Sequence, residues 1–302
     1  MKINILWKFN TVGGGGNQFL RTLRRYLTNM GCYVEDPYEA DVILVNSKDC
    51  LAEASKIKGI AKKKIVHRID GIFSIYRGEH ERHNDIKVYD FAREYADGVI
   101  FQSEWSQITS EKNGMSVHPN KTVIYNCADY KYFNNRVKTR GDKIRLVTSS
   151  WSDNVKKGFG IYKYLDDNLD FDKFEYSFIG RSPIPFKNIE MKGVMGSEEL
   201  SDVLNSSDIF ITATEDDTCS NSLIEGLTCG LPSVVLNSGG SPEIVRKNGN
   251  GGEIFEGQED VIEKIDMVAD KLEFYADKIM TPSLANTGDL YYDFMTRIYD
   301  EN

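Results

Sequence analysis

The chain has 302 residues, a net charge of −9, and 40% hydrophobic against 27% charged residues. That is the balance of a folded protein long enough for two ordinary domains, each with its own core. No apolar run approaches the ~20 residues of a membrane span, and the opening "MKINILWKFN" turns polar too soon for a signal peptide and reads as a first β-strand. The five cysteines at 32, 50, 127, 219 and 229 include no Cys-x-x-Cys pair, which argues against a disulfide framework or structural zinc and for a reducing cytoplasm.

Charge is uneven along the chain. Residues 1–140 hold 22 Lys and Arg against 16 Asp and Glu, a net of +6; residues 141–302 hold 15 against 30, a net of −15. The halves therefore differ in character, as two domains with different partners would. An acidic chain without an aromatic–basic module is not a nucleic-acid binder.

In chain order, "INILW", "DVILVN", "KKIVHRID", "DGVIFQS" and "TVIYN" are short apolar runs bounded by polar residues, the pattern of buried strands. Between them, "NQFLRTLRRYLTNMG" repeats its apolar residues at helical spacing and stops at Gly31, and "YDFAREYA" and "EWSQITSEKNG" also read as helices. This alternation predicts a parallel sheet with helices on both faces. "FNNRVKTRGDK" (133–143) is polar and aperiodic, a linker. The alternation then restarts, with strands at "IRLVTS", "YSFIG", "DIFITA", "PSVVLN" and "GGEIF" and helices at "GIYKYLDD", "SEELSDVL", "SNSLIEGLT" and "EDVIEKIDMVADKLEFYAD". The tail "SLANTGDLYYDFMTRIYDEN" is one more amphipathic helix. Two doubly wound sheets in tandem put a ligand at the carboxyl ends of their strands.

The stretch "EDDTCSNSLIEGLTCGLP" (215–232) follows the strand "DIFITA". Ser220 or Asn221 stands where an N-cap belongs, so a helix opens there with free backbone N–H groups suited to a phosphate. Glu225 falls about one turn inside, where its carboxylate can accept two hydrogen bonds from a vicinal diol such as a ribose. Asp217, on the loop, can take a sugar hydroxyl. A capping acid on a solvated helix face is the plainer alternative.

These residues resemble the acid-x7-acid motif of the retaining GT-B glycosyltransferases of family 4, the group 1 glycosyltransferases, with Asp217 where members more often carry Glu, and Glu225 as the second acid. "NSGGSPEIV" (237–245) matches the Gly-Gly-x-Pro-Glu segment of that family, and "VHRIDG", "FQSEWS" and "VIYNCADYKYF" resemble its N-domain landmarks. The resemblance implies an α/β GT-B fold: two Rossmann-like, doubly wound parallel-sheet domains facing a central cleft. Residues 1–137 would bind the acceptor, 138–282 the nucleotide sugar, and the helix 283–302 would cross back to the N-terminal domain. It implies transfer of a hexose from a UDP- or GDP-sugar to a hydroxyl of a glycan or lipid-linked acceptor, with retention. The leaving diphosphate would help take the acceptor's proton, and no metal or other cofactor would be needed.

The family's diphosphate-binding lysine corresponds to Lys157, with Lys156 beside it. Its arginine, usually a few residues earlier, is replaced by Ser149 and Ser150, and Arg181 in "FIGRSP" is a compensating candidate. Ser220, Asn221 and Ser222 would meet the diphosphate at the helix end. The family's functional histidine corresponds to His67, taken to end its strand and point to the cleft, with Asp70 as the competing assignment. The glycines of "TVGGGG" (11–16), Gly15 and Gly16 among them, correspond to a loop that touches acceptor and diphosphate. A dinucleotide-binding loop with Glu35 as its ribose acid is the rival, but the third glycine of that motif is absent. His80 and His83 lack a third metal ligand nearby, and "KIKGIAKKK" (56–64) offers anionic lipid a peripheral docking surface or is a solvated helix face. A catalytically silent nucleotide-sugar-binding homologue and a sugar-nucleotide epimerase on the same fold are the other readings.

Overall fold

The computed structural model describes residues 1–10, 15–137 and 141–301. The chain divides into two units, one of residues 1–126 with 283–302 and one of residues 127–282.

The first unit is built on five parallel strands, β1 (Ile3–Leu6), β2 (Val42–Asn46), β3 (Lys64–Ile69), β4 (Gly98–Phe101) and β5 (Lys121–Val123), side by side in that order. Tyr33 makes an isolated parallel bridge to Ile3, with the Ile3 N–H donating to Cys32 and the Val34 N–H to Ile3. The chain thus steps outward from β1 before returning to β2, and its crossovers fall on opposite faces of the sheet. Neighbouring residues of β3 show both faces. Arg68 bonds Tyr291 and lies under the Phe19 ring; His67 packs edge-on against Phe91, 4.9 Å between centroids. Successive strand side chains point to opposite faces, so the helices Gly15–Asn29 and Leu284–Asp300 cover one and the helix Arg82–Tyr95 the other.

The C-terminal helix belongs to this unit. Ser283 caps it by accepting the Asn286 N–H, and Tyr291, Phe294, Met295 and Ile298 are buried. A Cβ on Gly288 would come 2.3 Å from the Tyr26 ring, so only glycine lets the helix lie this close to the first helix.

The second unit has six parallel strands, β6 (Ile144–Ser150), β7 (Phe174–Gly180), β8 (Glu190–Gly193), β9 (Ile209–Thr212), β10 (Ser233–Leu236) and β11 (Gly252–Phe255), in the order β11-β10-β9-β6-β7-β8. The direction of winding reverses between β6 and β9, which opens a crevice at their carboxyl ends. Phe159, Tyr162, Phe174 and Phe178 pack with Leu146, Ile209, Ile211 and Val234 in the core below. β8 has no apolar alternation and was not readable in the sequence. Asp166 fixes the loop before it. Burial works to raise this carboxyl's pKa, yet the N–H groups of Lys187, Asn188 and Ile189, with Lys163, bring it down to about 2.

Two boundaries differ from expectation. The units divide at 126/127 rather than 137/138, because residues 127–136 are packed into the second unit. Tyr130 bonds Thr281, the Tyr132 carbonyl accepts from Ser201, and Arg136 binds Asn205 and Asp202. Residues 138–140 of the expected linker lie outside the described residues. The expected long helix after residue 258 is two, Val261–Ala269 and Leu272–Ala276.

Candidate active site

At the second unit's crevice, β6 ends at Ser150 and the chain makes a 3₁₀ turn, Val155–Lys157, before the helix Phe159–Asn168. Gly158 between them has φ +80°, and a Cβ there would lie 2.2 Å from the Ala213 carbonyl. This contact presses the Lys156–Lys157 turn against the loop after β9. The Lys156 carbonyl accepts the Glu215 N–H at 2.8 Å. Its ammonium lies 2.5 Å from Asp216 and 3.5 Å from Glu215, and the Asp216 hydrogen bond raises its pKa. Lys157 stands 3.4 Å from Asp217 Oδ2.

Asp217 is held from two sides. Its Oδ1 accepts the Cys219 N–H, and its carbonyl accepts the Gly240 N–H at 2.8 Å. Gly239 has φ +63°, and a Cβ on it would lie 2.4 Å from the Asp217 oxygen. The Asp216 N–H donates to Ser238 Oγ. The segment Ser238–Gly240 therefore buttresses the acidic loop through the Ser238 hydroxyl and the backbone of the two glycines, and the close approach at Gly239 requires glycine there.

Ser220 caps the helix Asn221–Thr228, accepting the Leu223 N–H and sharing a hydroxyl contact with Ser222. Glu225 is half-buried in this helix. Its carboxylate takes no hydrogen bond or ion pair among the described residues, and desolvation alone pushes its pKa up to about 8. A carboxyl held this way is an acceptor without a donor, at the mouth of a helix N-terminus whose N–H groups suit a phosphate.

At the carboxyl ends of β2 and β3 in the first unit, Gly15 and Gly16 open the first helix. A Cβ on Gly16 would lie 3.3 Å from Asp70 Oδ2. Asp70 Oδ1 accepts from Gln102 Nε2 at 2.8 Å. Asp49 lies nearby; desolvation raises its carboxyl pKa, Lys48 opposes this, and the Asp70 charge adds to it. A cavity of about 980 Å³ opens beside this loop, lined by Trp7, Asn10, Lys48, Asp49, Phe91 and Tyr95 among others.

Residues 176–271 match the family model described as glycosyl transferases group 1. Over 141 residues the chain is 26% identical to the sulfoquinovosyl transferase of Arabidopsis thaliana, covering 41% of this chain and 27% of that protein. It is also 21% identical over 169 residues to an uncharacterized protein of Sulfolobus islandicus rod-shaped virus 1, covering 50% and 47%. The chain thus spans less than half the length of these curated relatives. Anabaena HepE, solved in complex with UDP-glucose, superposes with a TM-score of 0.72 at 16% identity, over 100% of this chain and 98% of that one. The sucrose-phosphate synthase of Thermosynechococcus elongatus gives 0.73 at 12% identity, over 99% and 95%. The fold is GT-B.

Within this GT-B chain, Lys157, Asp217, Ser220, Asn221, Ser222 and Glu225 all fall at the crevice of the second unit. Lys156 is there too, but its ammonium is occupied by Asp216 and Glu215. Ser150 ends β6 with its hydroxyl turned back onto the Ser152 carbonyl. Arg181 follows β7, the strand next to β6, and stacks on Trp151 at 4.9 Å. Asp70, Gly15 and Gly16 come together in the first unit.

His67 is placed otherwise than expected. It lies inside β3, fully buried, with Nε2 on the Ser47 carbonyl at 2.7 Å. Burial lowers its pKa to about 4. The strand runs two residues further, to Ile69, so alternation turns His67 into the Phe91 face while Asp70 emerges beyond the end. Glu35, the acid of the dinucleotide reading, is paired with Arg24. Residues 11–14 of the glycine loop lie outside the described residues. Among the described residues no group of three or more His, Cys, Asp or Glu is placed to hold a metal ion, and no helix is long and apolar enough to cross a membrane. None of the five cysteines is in a disulfide. Sequence reading missed Trp151, Asp216 and Ser238. Their partners are set by contacts between loops, which no spacing rule reports.

Proposed function

We propose that the chain is a retaining hexosyltransferase that uses a nucleoside-diphosphate sugar, a UDP-sugar first among the candidates, and passes the hexose to a hydroxyl of a glycan or lipid-linked acceptor. The observation that carries this reading is Glu225, a half-buried carboxyl with no partner among the described residues, its pKa at about 8, set one turn inside a capped helix at the switch point. Such an acid is desolvated yet still open to a ligand, and a ribose diol supplies two donors. Support comes from the group 1 match over residues 176–271 and from HepE, whose structures hold UDP-glucose and UDP.

In this reading the N-terminus of the helix Asn221–Thr228 and Lys157 hold the diphosphate. As the glycosidic bond breaks, charge develops on the leaving phosphate, where fixed N–H dipoles and an ammonium are most effective. Asp217 orients a hydroxyl of the transferred sugar. The leaving diphosphate takes the acceptor's proton on the same face, which gives retention without a protein nucleophile. Arg181, stacked on Trp151, serves in place of the arginine that Ser149 and Ser150 do not provide. Asp70, beside Gly16, accepts from a second hydroxyl of the acceptor and so positions the one that reacts. A membrane-peripheral acceptor is compatible with the first unit's basic run, although Lys58 and Lys64 of that run are engaged with Asp97 and Glu301.

Thermal-shift screening against UDP, GDP and their hexose conjugates tests the reading. A ligand at 100 times its Kd stabilises by ~2.7 kcal/mol, a clear shift in melting temperature. UDP and a UDP-hexose are expected to shift it, and no shift with any nucleotide would sink the proposal. Binding without turnover of any bound nucleotide sugar would favour the silent homologue.

A further inference from the structure

Arg68 is the largest fully buried side chain of the first unit. Its Nε donates to Tyr291 Oη at 3.0 Å, Nη1 to Asn46 Oδ1 at 2.5 Å, and Nη2 to Asn126 Oδ1 at 2.8 Å. The nearest carboxylate, Asp70 Oδ1, stands 4.0 Å from Nη1. Asn126 Nδ2 donates in turn to Gln102 Oε1 at 3.0 Å, and Gln102 Nε2 donates to Asp70 Oδ1 at 2.8 Å. Arg68, Asn126, Gln102 and Asp70 thus form a ring. Its first three members are buried, while the Asp70 side chain is 41% exposed.

The ring has a direction set at two points, by Arg68 and by the Ile69 carbonyl, which accepts from Gln102 Nε2 at 3.0 Å. A guanidinium carries donors and no acceptor. Asn126 must therefore turn its oxygen to Arg68, which turns its NH₂ to Gln102. Gln102 must then present its oxygen to Asn126, which aims its own NH₂ at Asp70 and at the Ile69 carbonyl. In a buried site each reversed amide would leave an unpaired donor or acceptor, so the order is enforced rather than merely preferred. Asp70 Oδ1 is bound into the ring, and Oδ2 is left facing Gly16 and the start of the first helix.

We propose that Arg68 is a positioning residue that, through Asn126 and Gln102, fixes the direction of the Asp70 carboxylate and so leaves Oδ2 as the acceptor for a substrate hydroxyl. This rests on the glycosyltransferase reading in which Asp70 meets a hydroxyl. Tyr291 on the C-terminal helix closes the far side of the guanidinium, and the Phe19 ring lies over it at 4.8 Å.

Two readouts test the proposal. The first needs no substrate: through-hydrogen-bond NMR coupling between Gln102 Nε2 and the Asp70 carboxyl carbon. The coupling is expected in the wild type and in Arg68→Lys, which is still donor-only. It is expected to weaken in Arg68→Gln, which can accept and so leaves the Ile69 carbonyl alone to orient the Gln102 amide. A wild type without the coupling, or Arg68→Gln with a coupling of wild-type size, would overturn the assignment. The second is a cycle on UDP-glucose turnover with Gln102→Met, Asp70→Asn and the double variant. Gln102→Met removes the last donor without burying a charge, so the test survives if Arg68→Gln does not fold. Misdirecting a positioned group costs on the order of 10–100-fold in kcat. Each single variant is expected to lose that much, with UDP affinity unchanged, and the double variant is expected to be no slower than Asp70→Asn. Multiplying losses, or a Gln102→Met at wild-type rate, would show that the ring serves only the fold. Asp70→Asn at wild-type rate would instead remove Asp70 from the proposed function, and this inference with it.

Discussion

At the scale of single residues, the site turns on a carboxyl that the fold leaves unsatisfied. Glu225 has its folded pKa raised from 4.5 to about 8 by desolvation. The folded state therefore holds a proton that the unfolded state releases between those values, so this group makes stability fall as pH rises through that window. Glu225→Gln, which cannot ionise, is expected to flatten that part of the stability curve and to melt higher than wild type at pH 8 and above. Chemical denaturation at pH 5 and pH 8.5 checks this; identical pH dependence in both proteins would mean that Glu225 is solvated. Glu225 and its cap were legible in the sequence because Ser220, Leu223 and Glu225 are close in the chain and helix geometry relates them. The Arg68 ring was not. Its hydrogen bonds join residues from 24 to 58 apart in sequence, and polar residues inside apolar strands give no pattern of their own. His67 was misplaced for a related reason: a strand's last residue decides which way its neighbours face, and sequence fixes such ends poorly.

At the scale of elements, strands and helices were mostly readable, because buried parallel strands are short apolar runs and the helices between them are amphipathic. What escaped was the way loops bear on each other. The buttress of Ser238–Gly240 on Asp217 is the clearest case. Gly239→Ala places a methyl 2.4 Å from the Asp217 carbonyl oxygen, at φ +63°, and is expected to weaken UDP binding by about 10-fold or more and lower the melting temperature. Gly160→Ala is the control. It lies in the helix Phe159–Asn168, and a Cβ there meets nothing within 4 Å, so it is expected to stabilise by roughly 0.5–1 kcal/mol with binding intact. Equal effects of the two substitutions would remove the buttress from the site.

At the scale of the whole molecule, the two-sheet α/β plan and the GT-B fold were legible from alternation and from the 215–245 block, while the division of the chain was displaced by the packing of residues 127–136. The first unit is discontinuous, and Arg68 depends on Tyr291. A fragment of residues 127–282 is therefore expected to fold alone and bind UDP. A fragment of residues 1–126 is expected to stay unfolded unless 283–302 is supplied, since Arg68 would be a buried cation stripped of its Tyr291 partner. Circular dichroism and hydrogen exchange on both fragments decide it; a well-folded 1–126 would contradict the assignment. The net +6 of residues 1–140 is not concentrated at the first unit's cavity. Its lining mixes Lys8, Lys48 and Lys87 with Asp49, Glu53, Asp90 and Glu94, so the charge asymmetry gives little support to an anionic acceptor there.

The most direct test of the central claim is calorimetry of UDP with wild type and Glu225→Gln between pH 7.5 and 9, in buffers of different ionisation enthalpy. A ribose diol donates to the ionised carboxylate, so binding to wild type is expected to release a proton near pH 7.5 and to tighten as pH rises toward 9. At pH 9 the wild type is expected to bind roughly 10- to 150-fold more tightly than Glu225→Gln, the worth of about 1.5–3 kcal/mol for charge-assisted hydrogen bonds. The variant is expected to bind without proton release and with little pH dependence. Equal affinities, with no proton released by either protein, would contradict the assignment of Glu225 to the nucleotide.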